Sequence, residues 1–264
     1  MQARNEQERF DFARDLIIEA GDLALQYFGN LTSLSIMSKG ARDMVSEADL
    51  AVEKLIKERL LAAYPDDAYL GEETGHVAGS DDSGIWVVDP IDGTQPFISG
   101  LRTWCISIAY VRSKEVQLGM VNNPAADELF TGGTGRSAEL NGRPIAPREA
   151  TSVVDGLTYV GCNPRLRPEQ VVPVLDRLLR AGGMYFRNGS GALGLCDVAC
   201  GRLIGYVEAH INSWDCLGAI GVCRSAGARV SDYLGDGSIL NGGPLVAGSP
   251  QVFDQLTAVL GVRL

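Results

Sequence analysis

Two carboxylates three residues apart close the segment Trp86-Val-Val-Asp-Pro-Ile-Asp-Gly-Thr94. Val87 and Val88 suit a buried strand, and Pro90 fixes the backbone where that strand stops. Asp89 and Asp92 can then converge on one side of a tight turn, two hard oxygen donors on a short arc that suit Mg²⁺. Gly93 lets the backbone approach a ligand closely. Thr94 is placed to cap a short helix starting at Gln95, with Pro96 tolerated in its first turn, and free N–H groups at a helix start attract phosphate. The chemistry is that of a divalent-metal and phosphate site. Taken alone, Asp-Pro-Ile-Asp-Gly is also an ordinary polar turn, so other residues must decide.

Three further acids sit at strand ends or helix starts. Glu72 follows a short apolar strand in Tyr69-Leu-Gly-Glu-Glu-Thr74, with Glu73 as a supporting or solvent-facing neighbour. Asp215 opens the small-residue helix that continues Cys216-Leu-Gly-Ala-Ile-Gly-Val, where the helix dipole already favours an acid. Asp49 lies in the first turn of its own helix. Each has a plain structural reading as a cap or a solvated end.

The elements that would carry these acids follow from periodicity. Phe10, Ala13, Ile17, Ala20, Ala24 and Phe28 keep helical spacing, predicting a long first helix over the first thirty residues. Ser46-x-x-Asp49 resembles a capping box for a second helix with Val52, Leu55, Ile56, Leu60 and Ala63 on its apolar face, stopping at Tyr64-Pro65. Strands are expected at 68–71, 85–89, 105–111, 116–121 and 128–131, forming an antiparallel sheet. After residue 150 strands near 156–161, 184–187 and 204–208 alternate with helices near 168–181, 191–200, 214–226 and 250–260, which is α/β order. A soft boundary near 150 divides an α+β half (1–150) carrying most acids from an α/β half (151–264) carrying Asp215, the two sharing an interface.

With 264 residues and 45% hydrophobic content the chain can bury a substantial core. A net charge of −10 and no basic patch argue against nucleic-acid or membrane partners. Cys105, Cys162, Cys196, Cys200, Cys216 and Cys223 lie in apolar segments without a Cys-x-x-Cys, and only two histidines occur, so zinc is not expected. That usage suits a reducing cytoplasm. No leader and no apolar run of membrane-spanning length are expected.

Together, Gly71-Glu-Glu73, Trp86 to Thr94, and Trp214-Asp215 followed by Gly227 resemble the three signatures of the inositol monophosphatase family, Mg²⁺-dependent, lithium-sensitive sugar-phosphate phosphatases. The resemblance runs in order over nearly the whole chain. It implies an α/β (α+β) layered sandwich with alternating α-β-α-β-α layers, of the type shared with fructose-1,6-bisphosphatase. It implies that Glu72, Asp89 and the Ile91 carbonyl hold one Mg²⁺, that Asp89, Asp92 and Asp215 hold a second, and that a weaker third ion sits near Asp49. By the same resemblance Asp49 and Thr94 orient and deprotonate the attacking water, with Glu72 also in the catalytic set. The Gly93 and Thr94 amides grip the phosphate, and Asp92, Gly189, Ser190, Gly191 and Glu208 meet the substrate. In-line displacement without a covalent intermediate follows.

The implied activity is a Mg²⁺-dependent phosphomonoesterase acting on a small polyol or sugar phosphate, inositol 1-phosphate first, in a cytoplasmic homodimer. Gln95-Pro96 and Gly191 depart from the Thr-Asn and Ala usual in the family, and both bear on the substrate rather than the metals. The continuation Gln-Pro-Phe-Ile-Ser-Gly100 resembles branches acting on histidinol phosphate, an alternative in which Glu208 would face an ammonium group. A regulatory binding protein that keeps the fold is the alternative from another class.

Overall fold

The computed structural model describes residues 2–40, 43–80, 83–235 and 238–261. The chain runs through α1 (Gln2–Phe28), β1 (Ile36–Gly40), β2 (Asp43–Ser46), α2 (Glu47–Ala63), β3 (Ala68–Gly71), β4 (Gly75–Val77), β5 (Ile85–Asp92) and α3 (Thr94–Ile98). It continues through β6 (Cys105–Arg112), β7 (Glu115–Asn123), β8 (Glu128–Gly132), β9 (Glu139–Leu140), β10 (Arg143–Pro144), β11 (Leu157–Val160), α4 (Pro168–Arg180), β12 (Met184–Phe186) and α5 (Gly191–Ala199). The last elements are β13 (Gly205–Ile211), α6 (Ser213–Ala226), β14 (Arg229–Val230), α7 (Ser238–Asn241), β15 (Gly243–Gly248) and α8 (Phe253–Leu260).

Period-two alternation along the strands separates two cores. In β5, Trp86 and Val88 face one way, into a core closed by Ala13, Ile17 and Ala20 of α1 and Val52 and Ile56 of α2. Val87 faces the other way, into a core filled by α5 and α6. The second sheet repeats the pattern: Tyr206, Leu245 and Ala247 face α5 and α6, while Val207 and Val246 face α4 and α8. The result is five layers: α1 and α2, an eight-stranded sheet (order β10-β9-β8-β7-β6-β5-β3-β4), α5 and α6, a five-stranded sheet (β12-β11-β13-β15-β14), then α4 and α8. This is the expected α/β layered sandwich. No described helix is long and apolar enough to cross a membrane. The six cysteines are free thiols: Cys105, Cys196, Cys216 and Cys223 are buried, and Cys162 and Cys200 are half-buried.

Several expectations need correction. The first sheet is not wholly antiparallel, because β3 lies beside β5 in parallel, the connection between them running through β4. Strand β15 was not anticipated: its glycines and Pro244 mask a strand that is nonetheless internal, between β13 and β14. The β1–β2 hairpin and the short strands β4, β9, β10 and β14 are too brief for a periodic signal. Helix α8 starts at Phe253 rather than Pro250, and Ala63 is exposed instead of buried.

Helix α6 sits directly on the backbone of the first sheet. A Cβ on Gly119 would overlap the Gly218 carbonyl, and one on Gly218 would lie 2.5 Å from Ser107 Oγ and 2.9 Å from the Met120 carbonyl oxygen. This close approach carries the start of α6, and hence Asp215, to the end of β5. Gly218→Ala should lower stability by about 1–3 kcal/mol through overpacking, read as a lower denaturant midpoint with unchanged slope. An unchanged midpoint would show that the layers separate easily.

Candidate active site

The end of β5 is shaped by Pro90, which lacks an N–H, and by a register shift against β6 between Asp89 and Asp92. Asp89 is fully buried, and its Oδ1 accepts from the Ile91 N–H at 3.0 Å. Its Oδ2 has no hydrogen-bond partner among the described residues. Gly93 adopts φ 97° where a side chain would press on the Thr103 carbonyl. Gly93, not Thr94, is the residue flanking α3, and Thr94 is the first helical position without a capping bond. The expected threonine cap is therefore corrected. Its hydroxyl turns back to Asp49 Oδ1 at 3.0 Å and to the Ile91 carbonyl at 3.2 Å.

Asp49 is fully buried on α2. Its Oδ2 accepts from the Ser46 N–H at 2.9 Å and the Ser46 hydroxyl at 2.6 Å, and the Ser46 hydroxyl accepts from the Ala48 N–H, so the expected capping box is present. Burial raises the Asp49 pKa against these hydrogen bonds.

Three acids drawn from distant segments meet. Glu72, Asp89 and Asp215 each place one carboxylate oxygen within 4.8 Å of the others. Glu72 is delivered by the turn after β3, its N–H donating to the Val88 carbonyl at 3.2 Å. Asp215 is both cap and cluster member: its Oδ2 accepts from the Asn212 N–H at 3.3 Å and Asn212 Nδ2 at 3.1 Å, which leaves acceptor capacity for the cluster. Burial, then the charges of Glu72, Asp92 and Asp215, push the Asp89 pKa well up; burial also raises that of Asp215. Crowded hard oxygen donors, one of them buried without a partner, fit a divalent cation such as Mg²⁺. No cysteine or histidine shares the cluster.

Asp92 lies outside this trio and points at the start of α5. Its Oδ2 accepts from the Ser190 hydroxyl at 2.6 Å and the Ala192 N–H at 2.7 Å, its Oδ1 from the Gly191 N–H at 3.3 Å. Burial and then the charge of Asp215 push its pKa up to about 7. Ser190 is buried and caps α5, accepting from the Leu193 N–H at 3.1 Å, so its hydroxyl is spent on structure rather than turned to the cavity.

A cavity of about 860 Å³ opens over these groups, lined by Glu72, Asp92, Gly93, Thr94, Gly189, Gly191, Glu208 and Asp215. Glu208 Oε1 accepts from Asn163 Nδ2 at 3.1 Å and Oε2 from the Tyr206 hydroxyl, and burial pushes its pKa up to about 8. Tyr206 is held in turn by stacking on Tyr159, centroids 4.8 Å apart. Sequence reasoning overlooked Asn163, Tyr206, Asn212 and Glu53. Only Glu53 left a trace, one helical turn after Asp49 on the same face of α2.

The fold and the cavity define a two-sheet layered protein with a buried carboxylate centre, and comparison with known proteins narrows that class. The inositol monophosphatase family model matches residues 5–260. The inositol-1-monophosphatase of Rhizobium meliloti is 33% identical over 248 residues, 92% of each chain. The Nus factor SuhB of Haemophilus influenzae is 32% identical over 241 residues, 90% of each chain. Among solved structures, the extragenic suppressor protein SuhB of Bartonella henselae superposes with TM-score 0.88 at 28% identity, covering 97% of this chain and 100% of that one. The Thermotoga maritima IMPase does so with TM-score 0.83 at 27% identity, covering 96% and 97%. The chain belongs to the inositol monophosphatase family.

The raised pKa values have a thermodynamic consequence. Asp92 and Glu208 titrate near 7 and 8 when folded but at about 4 when unfolded. Between these limits the native state binds more protons, so stability falls as pH rises. Chelator-treated protein should melt at a lower temperature at pH 8 than at pH 5.5, and Mg²⁺ should narrow the gap. Equal melting temperatures in chelator would contradict the buried, repelling cluster.

Proposed function

We propose that this protein is a Mg²⁺-dependent phosphomonoesterase acting on small polyol or sugar phosphates, inositol 1-phosphate first among them. The observation that carries the reading is the convergence of Glu72, Asp89 and Asp215 around the unpartnered Asp89 Oδ2, on a cavity whose wall includes Gly93 and Thr94. Glu72, Asp89 and the Ile91 carbonyl would hold one magnesium ion, and Asp89, Asp92 and Asp215 a second. When bound, magnesium supplies charge neutralisation at the phosphate and at the leaving oxygen and lowers the pKa of water.

The protein's own groups orient and move protons. The Thr94 hydroxyl donates toward Asp49, so its oxygen is left to accept a proton from the attacking water, while Asp49 takes the threonine proton. The raised Asp49 pKa suits that base role. The new bond is from water oxygen to phosphorus, the broken bond is from phosphorus to the substrate oxygen, the released alkoxide takes a proton from solvent water, and Asp49 returns its proton to solvent. The Gly93 and Thr94 amides at the start of α3 orient the phosphate. Glu208, with Gly191, meets the substrate hydroxyls. Histidinol phosphate is the alternative substrate, with Glu208 then facing its ammonium group.

The relative named Nus factor SuhB supports a second reading, a binding protein that keeps the fold. A homodimer belongs to the first reading on the resemblance alone, and a cytoplasmic location is the expectation that the free thiols support.

Phosphate release from inositol 1-phosphate, histidinol phosphate, fructose 1,6-bisphosphate and adenosine 3′,5′-bisphosphate, with Mg²⁺ and with EDTA, tests the activity. Magnesium-dependent turnover of inositol 1-phosphate is expected, and no turnover of any substrate despite bound Mg²⁺ favours the binding-protein reading. Asp215→Asn should abolish turnover in a folded protein. Thr94→Ala should lower kcat by about 10²–10⁴-fold while the half-saturating Mg²⁺ concentration barely moves; equal losses in both would refute the proton relay.

A further inference from the structure

Glu53 is a fully buried carboxylate outside the cavity that no step above uses. No Lys, Arg or His stands within ion-pair distance of it among the described residues. Lys57, one turn further along α2, donates a hydrogen bond to Thr74 Oγ1 at 2.8 Å instead. A buried charge without a cation is expensive to keep, and an apolar residue of similar size would pack there more cheaply. A carboxylate at this position therefore calls for a task beyond filling space.

That task is visible in its partners: besides Tyr69 of β3, whose hydroxyl faces it, they belong to the turn after β3. Oε2 accepts from the Glu73 N–H at 2.7 Å; Oε1 accepts from the Thr74 N–H at 2.9 Å and the Thr74 hydroxyl at 2.5 Å. On the near side, β3 passes so close that a Cβ on Gly71 would stand 2.6 Å from Glu53 Cδ. The residues before and after Glu72 are thus both held against one carboxylate, and the Glu72 N–H is bonded to Val88. Little freedom remains to the Glu72 backbone, so its side chain leaves the turn toward Asp89 and Asp215.

We infer that Glu53 is a positioning residue: through the Gly71–Thr74 turn it sets Glu72, and thereby how tightly the Glu72–Asp89–Asp215 cluster takes up a divalent cation. The inference rests on the metal reading above. A merely structural role would lower stability without altering the affinity of the folded molecule, and this difference makes the two separable.

The test is Mg²⁺ titration of the full-length folded protein by calorimetry, alongside the Mg²⁺ dependence of phosphate release. Glu53→Gln keeps the shape but sets an amide N–H₂ against a backbone N–H. The Mg²⁺ dissociation constant should rise about 10–100-fold, with kcat at saturating Mg²⁺ changing far less. Thr74→Val removes the hydroxyl that donates to Glu53 and accepts from Lys57, leaves the backbone bonds to Glu53, and should shift the same constant in the same direction, by less. Wild-type affinity in folded Glu53→Gln overturns the inference alone. Wild-type protein that binds no Mg²⁺ overturns the metal reading and the inference with it. If Glu53→Gln does not fold, Thr74→Val decides: wild-type Mg²⁺ affinity there overturns the inference, and a weakened one supports it.

Discussion

Carboxylates buried without a cation of the protein's own are the constraint around which this molecule is organised. Asp49, Glu53, Asp89, Asp92 and Glu208 are all sequestered from water. Burying an ionised acid is tolerable only with donors in place, and here the donors are mostly backbone amides and hydroxyls at element ends. Ser46 serves Asp49, the Glu73–Thr74 turn serves Glu53, the start of α5 serves Asp92, and Asn163 with Tyr206 serves Glu208. Asp89 is the exception, with one oxygen unserved. The strongest unmet demand in the fold therefore lies where the acidic cluster meets the cavity.

The same acids join the layers. Asp92 closes β5 of the first sheet and receives the first amides of α5, a helix between the two sheets, so a single carboxylate ties strand to middle layer. Asp215 opens α6, the other helix of that layer, and arrives at the cluster because glycines on α6 and β7 allow backbone to meet backbone. Helix α2 acts from the opposite layer. Two of its carboxylates, both buried and one turn apart, hold Thr94 through Asp49 and the Glu72 turn through Glu53. The loops that carry the acidic cluster are in this way anchored to helices, which keeps the carboxylates in place.

How much could be read beforehand depends on the range of the interaction. Local signals did well: the capping box at Ser46, the apolar face of α1, the valines of β5 and the small-residue run of α6 all mark real elements. Signals failed where a short element is defined by its neighbours. Strand β15 is stabilised by pairing on both sides despite its glycines, and β3 is parallel to β5 because the chain passes through β4 before β5 begins, which no residue within β3 encodes. Thr94 looked like a cap because threonine before a helix usually is one. Its hydroxyl goes instead to a carboxylate 45 positions earlier in the chain.

The sequence by itself determined which acids stand at element ends and, through their spacing, the chemical class of the centre and the family to which the chain belongs. Tertiary structure alone decided which acids meet. Glu72, Asp89 and Asp215 converge, Asp92 turns to α5, and Ser190 is buried as a cap. Residue type and local spacing act over one or two turns of chain, whereas the distance between two carboxylates, and the burial that shifts their pKa values, arise only when separate layers close on one another.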